Sequence, residues 1–304
     1  MTHPDTDTLW SLLGFPDGPP PAGCGRARVI DRRPERVCET LTIETEWGPL
    51  PGTLLRPSTV KPRPAVLYCH AHGHRFDIGR RELLDARPAL LSAYGPVLVE
   101  AGFAVLCVDM PGFNERARDG TESAVSKAAL WRGRPLFGQM LAELSAALDY
   151  LTGRPDIDDT RIAALGLSMG ATHAYWLAAL DQRIAAVAHL CAFSNMGPLI
   201  ETGAHDRHGP YMTVPGLLRH CDMADIAAMI APRPQLVAAG GADPLTPPAA
   251  LEPALATLRQ AYADAGASDR LTIVVGAETG HTETPAMRVA VLRFLDQLAG
   301  INSP

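Results

Sequence analysis

The hydrophobic pattern divides the chain into a short part with alternating positions and a longer part with continuous apolar runs. Thr40–Glu46 alternates between apolar and polar residues, Trp47-Gly48-Pro49 interrupts it, and Gly52–Arg56 resumes the alternation. A period of two is typical of a strand that buries one face, and the Gly-Pro interruption predicts a turn. These segments therefore predict an N-terminal antiparallel hairpin at the edge of a sheet.

Six continuous apolar runs follow, separated by segments of helical length. This rhythm is typical of parallel strands that are buried on both faces and connected by helices. The predicted strands are Ala65–Cys69, Ala104–Val108, Ile162–Leu165, Ala185–Leu190, Gln235–Ala239 and Leu271–Val275, and the predicted helices are Leu83–Glu100, Leu136–Leu151, Ala171–Leu180, Pro248–Ala265 and Pro285–Leu298. Right-handed crossovers between such strands predict an α/β fold with a doubly wound, mostly parallel sheet.

Two long connections, Met110–Pro135 and Ala192–Pro234, interrupt the rhythm. Connections of this length in a compact domain are usually functional, so we expect them to form a small lid over the carboxyl ends of the strands. The first 37 residues are rich in Pro and Gly and predict an irregular N-terminal arm, 1–37. No linker composition follows, which predicts a single domain over residues 38–304.

Composition and charge narrow the class of protein. With 304 residues, 47% of them hydrophobic, the chain can bury a substantial core. The net charge of −6 is dispersed and Lys and Arg do not cluster with aromatics, so nucleic acid is not an expected partner. No run is long enough to span a membrane and the first residues lack the features of a signal peptide, which predicts a cytoplasmic protein.

The cysteines are widely spaced and form no CxxC pair. We expect buried, reduced thiols rather than disulfides or a zinc site. The six residues are Cys24, Cys38, Cys69, Cys107, Cys191 and Cys221.

The pattern Gly166-Leu-Ser168-Met-Gly170 lies between a predicted strand and a predicted helix. This context is that of a nucleophile elbow, in which a tight turn exposes a serine at the edge of the sheet. The flanking glycines are needed because side chains there would collide with neighbouring elements. Ser168 is therefore the candidate nucleophile.

A neutral serine needs a base to remove its proton and a carboxylate to orient that base. The order along the chain in this kind of site is Ser, acid, His. Asp243 comes just after the predicted strand Gln235–Ala239, and His281 is the one histidine downstream of Asp243. We therefore predict Asp243 as the acid and His281 as the base.

Three other carboxylates are less suitable as the acid. Asp222 and Asp225 precede the strand Gln235–Ala239 rather than follow it, and Asp225 is typical of a short helix. Glu278 is on the same loop as His281 and is poorly placed to reach the far nitrogen of the imidazole.

Acyl transfer also requires two hydrogen-bond donors for the oxyanion. The first predicted donor is the amide of Met169, the residue after the candidate nucleophile. The second is expected from the loop after the first buried strand, where Gly73 lets the backbone turn its amides inward; the predicted donor is the amide of His74.

The same loop permits a different hypothesis, because His70, His72 and His74 recur at every second residue and could bind a metal. The His-x-His-x-Asp-His run of metallo-β-lactamase-like hydrolases requires Asp and His where His74 and Arg75 stand, so the match is incomplete. His205, Asp206 and His208 in the second connection also look like ligands, but a solvated lid loop is the more common explanation for them.

The motifs together resemble the dienelactone-hydrolase-like and acetyl-xylan-esterase-like branch of the α/β-hydrolase superfamily over about residues 65–298. They are His70-Ala-His-Gly73, Asp109-Met-Pro-Gly-Phe113, Gly166-Leu-Ser-Met-Gly170, Ala231-Pro-Arg-Pro234 and Gly280-His281. The resemblance implies the α/β-hydrolase fold and esterase activity, without a cofactor, on small-molecule esters with small or carbohydrate-linked acyl groups. Dienelactone hydrolases generally use a cysteine nucleophile, whereas this elbow carries serine.

Three alternatives stay open from the sequence. One is a serine peptidase or amidase of the same fold, although 37 irregular residues cannot form the propeller of the prolyl-oligopeptidase relatives. Another is a non-catalytic member of the fold that only binds a ligand. The last is a metal-dependent hydrolase that uses His70, His72 and His74.

Overall fold

A mixed β-sheet forms the centre of the protein, in a computed structural model that describes residues 4–19, 25–59 and 61–300. Its strands are β1 (Gly25–Arg32), β2 (Arg36–Thr45), β3 (Gly48–Pro57), β4 (Arg63–Cys69), β5 (Ala104–Val108), β6 (Ile157–Leu167), β7 (Ile184–Leu190), β8 (Gln235–Gly240) and β9 (Leu271–Gly276). Over the described residues their spatial order is β1-β2-β3-β5-β4-β6-β7-β8-β9. Strands β1, β2, β3 and β5 pair antiparallel, and β4 to β9 pair parallel.

Helices cover both faces of this sheet, as the doubly wound prediction requires. They are α1 (Thr6–Leu12), α2 (Glu82–Asp85), α3 (Tyr94–Glu100), α4 (Glu122–Trp131), α5 (Leu136–Thr152), α6 (Met169–Leu180), α7 (Met196–Thr202), α8 (Met223–Ala228), α9 (Pro248–Asp264) and α10 (Pro285–Ala299). Helices α1, α5, α6, α8 and α9 pack in the core on one face, and α3 and α10 pack in the core on the other. The α/β class and the predicted parallel strands are confirmed.

The continuous apolar runs are explained by burial on both faces. In β4, Ala65 and Leu67 enter one core while Val66 and Tyr68 enter the other. Successive strand residues point to opposite faces, so a strand with helices on both sides needs apolar residues at every position. Strand β5 shows the same division.

The N-terminal region differs from the irregular arm predicted for residues 1–37. Helix α1 starts at an N-cap, where the side chain of Asp5 accepts a hydrogen bond from the amide of Thr8 at 2.7 Å, and it buries Leu9 and Trp10. Strand β1 pairs with β2 and covers the outer side of the predicted hairpin. Its side chains are mostly exposed, so pairing rather than an apolar face defines this strand and the pattern did not reveal it. Cys24 lies outside the described residues.

The predicted helix Leu83–Glu100 is also wrong, because two short helices, α2 and α3, replace it. Helix α2 ends where Ala86 adopts a positive φ of 62°, and Pro88 follows shortly after. Proline disfavours helical geometry in the residue before it, which separates the two helices. The intervening backbone carries the buried side chain of Arg87 inward.

The two long connections are structured. Residues 110–135 contain a 3-10 turn, Asn114–Asp119, and helix α4; residues 192–234 contain α7, α8 and three 3-10 turns. No described helix combines the length and the hydropathy that crossing a bilayer requires.

Candidate active site

Ser168 occupies the tight turn between β6 and α6. Its backbone adopts φ 56° and ψ −123°, and its amide donates to the carbonyl of Leu190 at 2.8 Å. A positive φ in a non-glycine residue costs about 1–3 kcal/mol and persists only where the surrounding structure holds it. The geometry is therefore that of the elbow that the sequence predicts.

The two flanking glycines have no space for a side chain. A Cβ at Gly166 would overlap the backbone of Gly170, and a Cβ at Gly170 would overlap the carbonyl oxygen of Cys69. The turn is consequently packed against the end of β4, so the loop that follows β4 lies beside Ser168.

His281 and Asp243 meet Ser168 at the carboxyl edge of the sheet. The Nε2 atom of His281 lies 2.9 Å from Oγ of Ser168, and its Nδ1 lies 2.7 Å from Oδ2 of Asp243. Because the ionised carboxylate only accepts, Nδ1 carries the proton and Nε2 is free to accept one from the serine. The structure thus brings together the three residues that the sequence selects.

The loop after β8 holds the carboxylate of Asp243 in place. The side chain is buried, and its Oδ1 accepts the amide of Leu245 at 2.9 Å. The alternative acids are elsewhere: Asp222 and Asp225 form a capping box at the start of α8, and Glu278 is exposed.

Residues 94–282, more than half of the chain, match the model of the dienelactone hydrolase family. The chain belongs to this family. Membership of this family makes it a carboxylic ester hydrolase.

Two kinds of relative extend the comparison. The Bacillus subtilis protein YtaP is 37% identical over 271 residues, which cover 88% of this chain and 90% of YtaP. Among solved structures, acetyl xylan esterase 1 from Thermoanaerobacterium sp. JW/SL YS485 superposes with a TM-score of 0.66 at 16% identity, covering 98% of this chain and 95% of that one. A glucuronoyl esterase from Solibacter usitatus has a TM-score of 0.66 at 15% identity, covering 95% and 91%. At these identities the solved structures establish the shared fold.

The histidine-rich loop of this dienelactone hydrolase family member does not have the geometry expected for His74. The amide of His74 donates to Nδ1 of His72 at 3.0 Å, so this amide already has a hydrogen-bond acceptor within the loop. Gly73 and His74 both adopt a φ of 52°, and this tight turn directs the amide toward the ring two residues earlier. In this structure a side-chain contact that spacing does not reveal therefore occupies the amide of His74, the predicted oxyanion donor.

His70 and His72 connect the loop to other elements instead of converging on a metal. In His70, Nε2 accepts the amide of Met110 at 3.1 Å and Nδ1 donates to the carbonyl of Ala71 at 3.1 Å. Burial lowers the pKa of His70 to about 3, which keeps it neutral. The Nδ1 of His72 accepts from His74, and its Nε2 lies 3.0 Å from a carboxylate oxygen of Glu122. Across the described residues, no set of three or more His, Cys, Asp and Glu side chains has a metal-binding arrangement.

A buried ion pair holds the backbone of this loop. The carboxylate of Glu82 accepts the amide of Ala71 at 3.1 Å and the hydroxyl of Tyr68 at 2.6 Å, and it pairs with Arg87. Arg87 in turn donates to the carbonyl of Ala71 at 2.8 Å. The amide of Ala71 is thus bound by Glu82 and its carbonyl by Arg87. Sequence reasoning missed them because Arg87 lay inside the predicted helix Leu83–Glu100 and Glu82 lay directly before it.

A second buried ion pair supports the loop of His281. Glu283 pairs with Arg288 at 2.7 Å and accepts the amide of Leu91 at 3.0 Å. The hydroxyl of Tyr94 also donates to Glu283, and the ring of Tyr94 lies 5.8 Å from that of Tyr68. Packed side chains therefore connect the supports of the His281 loop and of the histidine-rich loop.

The lid residues have separate roles. His205 and Asp206 are exposed on a 3-10 turn, as a solvated lid predicts. His208 is half-buried and its Nε2 donates to the carbonyl of Leu245 at 2.9 Å, which attaches the lid to the loop of Asp243. Burial lowers the pKa of His208.

The cysteines of the described residues are buried and free, as predicted. Desolvation raises the pKa of the Cys191 thiol and that of Cys221 to about 12, so both stay protonated. A thiol nucleophile is therefore not provided by these two residues.

Proposed function

We propose that the protein hydrolyses carboxylic esters through an acyl-enzyme on Ser168, with His281 as general base and Asp243 as the carboxylate that orients it. The continuous hydrogen-bond chain from Oγ of Ser168 through His281 to Asp243 carries the proposal. An activated serine needs this arrangement of a base at its hydroxyl and an acceptor behind the base.

In the first step His281 Nε2 takes the proton of Ser168 as Oγ attacks the ester carbonyl. The tetrahedral intermediate collapses, the C–O bond to the alcohol breaks, and His281 returns the proton to the leaving alcohol. Water, deprotonated by the same imidazole, then attacks the acyl carbonyl; the bond between the acyl carbon and Oγ of Ser168 breaks, the acid leaves, and Oγ takes the proton back from His281. The net reaction is ester plus water giving acid plus alcohol, which requires no cofactor.

The oxyanion requires two donors, and we assign them to the amides of Met169 and His72. Met169 begins α6, where the first amides of a helix have no partner within the helix. In the loop after β4, the amide of Ala71 binds Glu82 and that of His74 binds His72. Of the two amides between Ala71 and His74, that of His72 belongs to a buried residue and that of Gly73 to an exposed one, which favours His72.

Labelling with a fluorophosphonate tests the nucleophile directly. The probe is expected to modify Ser168 and to abolish hydrolysis of p-nitrophenyl acetate, with the modified peptide identified by mass spectrometry. Ser168→Ala should neither be labelled nor turn over the ester, with a loss of about 10⁴-fold or more in kcat. Circular dichroism establishes that the variant is folded. Undiminished turnover by folded Ser168→Ala would remove the proposal, and absence of both labelling and turnover in the unaltered protein would favour a ligand-binding role.

The substrate class is the finer part of the proposal. The solved neighbours are named as acetyl xylan and glucuronoyl esterases, whose esters are attached to carbohydrate. A small-molecule ester is proposed here on the strength of the family and of the triad geometry.

A further inference from the structure

A pocket of about 770 Å³ lies among the residues of the 192–234 connection. Its size is within the range of sites for small organic ligands. Most of its wall consists of apolar side chains, which include Met196, Ile200, Met212, Val214, Leu217 and Met223. Among the residues that line this pocket, His208 is the one whose side chain contacts the loop of Asp243 as described above.

His208 connects this pocket to the loop of the proposed acid. It lines the pocket and donates to the carbonyl of Leu245, whose amide binds Oδ1 of Asp243 at 2.9 Å. Asp243 contacts His281 in turn. One wall of the pocket is therefore attached to the loop that carries the acid.

A second path leads from the nucleophile to the pocket. The carbonyl of Leu190, at the end of β7, accepts the amide of Ser168 at 2.8 Å. The chain then continues through a short turn to Met196, which starts α7 and lines the pocket. The end of β7 that binds the nucleophile turn is thus six residues along the chain from the pocket wall.

The chemistry of the wall selects an apolar ligand. Met212, Val214 and Leu217 are buried and offer methyl and thioether groups, while the charged side chains of Asp206 and Arg219 are exposed at the rim. Burying a hydroxyl without a hydrogen bond costs free energy, so the apolar part of the wall disfavours a sugar and favours a hydrocarbon group, while His205, His208 and Thr213 add polar groups to the lining.

Two exposed side chains support this assignment. Ile200 and Leu218 are 48% and 45% exposed and border the pocket, so a bound ligand would cover apolar surface that is now in contact with water. Covering such surface contributes favourable free energy in proportion to its area.

We infer that this pocket binds the apolar group of the ester and that the enzyme prefers esters with an alkyl chain longer than acetyl over acetylated sugars. The inference rests on the proposed function, since the pocket is assigned to the substrate of the Ser168 site. The alkyl group can belong to the acyl or to the alcohol part of the ester, because both have the same chemistry.

Two substrate series distinguish these parts. In one, the acyl chain of p-nitrophenyl esters is lengthened from acetate to octanoate; in the other, the alcohol of alkyl acetates is lengthened from methyl to octyl. We expect kcat/KM in at least one series to increase about threefold to fourfold for each methylene that enters the pocket. A decrease or a constant value in both series would overturn the inference.

Variants at the rim show whether the pocket causes the preference. Ile200→Trp and Leu218→Trp introduce bulk at exposed positions and are expected to lower the ratio of kcat/KM for the longest ester to that for acetate by about tenfold. The matched control is Val289→Trp, an exposed position on α10 that does not line the pocket and should keep the ratio of the unaltered protein. Equal ratios in all three variants would also overturn the inference.

Failure of the inference and failure of the proposed function give different results. If short esters are hydrolysed in a Ser168-dependent way but chain length has no effect, the pocket assignment alone is wrong. If Ser168→Ala hydrolyses the esters as fast as the unaltered protein, the proposed function is wrong regardless of chain length.

Discussion

Gly170 packs directly against the carbonyl oxygen of Cys69, at the point where the nucleophile turn meets the end of β4. No rotation of a side chain can relieve an overlap with backbone, so a Cβ at this position must displace the turn. The contact therefore couples the position of Ser168 to the loop that we assign to the oxyanion.

Gly170→Ala is expected to lower the free energy of unfolding by about 1–3 kcal/mol, the usual cost of overpacking. It should also lower kcat, because the displaced turn moves Ser168 away from His281. Urea unfolding and ester kinetics measure the two effects. Gly153→Ala is the matched control, since Gly153 has φ −78° and its nearest Cβ contact is an ordinary 3.4 Å. Equal stability and activity in both variants would contradict the packing argument.

Asp243→Asn is expected to lower kcat by about 10⁴-fold, because the amide no longer favours the required tautomer of His281. KM should change much less. Asp225→Asn serves as control: Asp225 accepts the amide of Asp222 in a helix cap, so its replacement should cost about 0.5–1 kcal/mol of stability and leave kcat in place. A reversed result, with the larger loss of kcat at Asp225, would show that the acid is wrongly assigned.

Arg87→Met is expected to destabilise the protein by about 3–5 kcal/mol, since Glu82 remains buried without its partner. At temperatures where the variant is folded, kcat should decrease while KM changes little, because the carbonyl of Ala71 loses its bond to Arg87, and Glu82, which binds the amide of Ala71, loses its partner. Arg87→Lys should restore part of kcat. The exposed pair Arg81–Asp85 gives the control, and Arg81→Met should cost no more than about 1 kcal/mol. A folded Arg87→Met with unaltered kcat would limit the ion pair to a role in stability.

The stability of the protein should decrease in acid because several histidines are buried in the neutral form. Burial lowers the pKa of His173 and of His189 from 6.5 to about 3, as it does for His70. Between these values the unfolded chain binds more protons than the folded one, so the free energy of unfolding decreases as pH falls from about 6.5 toward 3. Each histidine contributes a slope of about 1.4 kcal/mol per pH unit within this window.

His173→Leu tests the contribution of one residue. Neither ring nitrogen of His173 has a hydrogen-bond partner among the described residues, so the substitution breaks no such bond. Urea unfolding at several pH values between 4 and 7 should give a smaller pH slope for this variant. An unchanged slope would mean that His173 does not contribute to acid sensitivity.

Local patterns were sufficient for the parallel strands and for selecting the three residues of the proposed triad as candidates, whereas the exposed strand β1 left no such pattern. The run Ala104–Val108 has the predicted bounds, because a strand buried on both faces must be apolar at each position. Local sequence also indicated the candidate site. Glycines flank Ser168, and Asp243 and His281 each follow a predicted strand. Strand ends at one edge of a parallel sheet come together by topology, so order along the chain was enough to select these side chains.

Tertiary structure alone decided how the supporting residues are used. The ring of His72 takes the amide of His74, and Glu82 with Arg87 binds Ala71 across a segment whose helix is interrupted. These contacts depend on the path of the backbone and on the rotamers of buried side chains, neither of which leaves a periodic trace in the sequence. Alternation and spacing record which face of an element is buried, whereas the choice of partner for a buried polar group is made only when distant segments pack together.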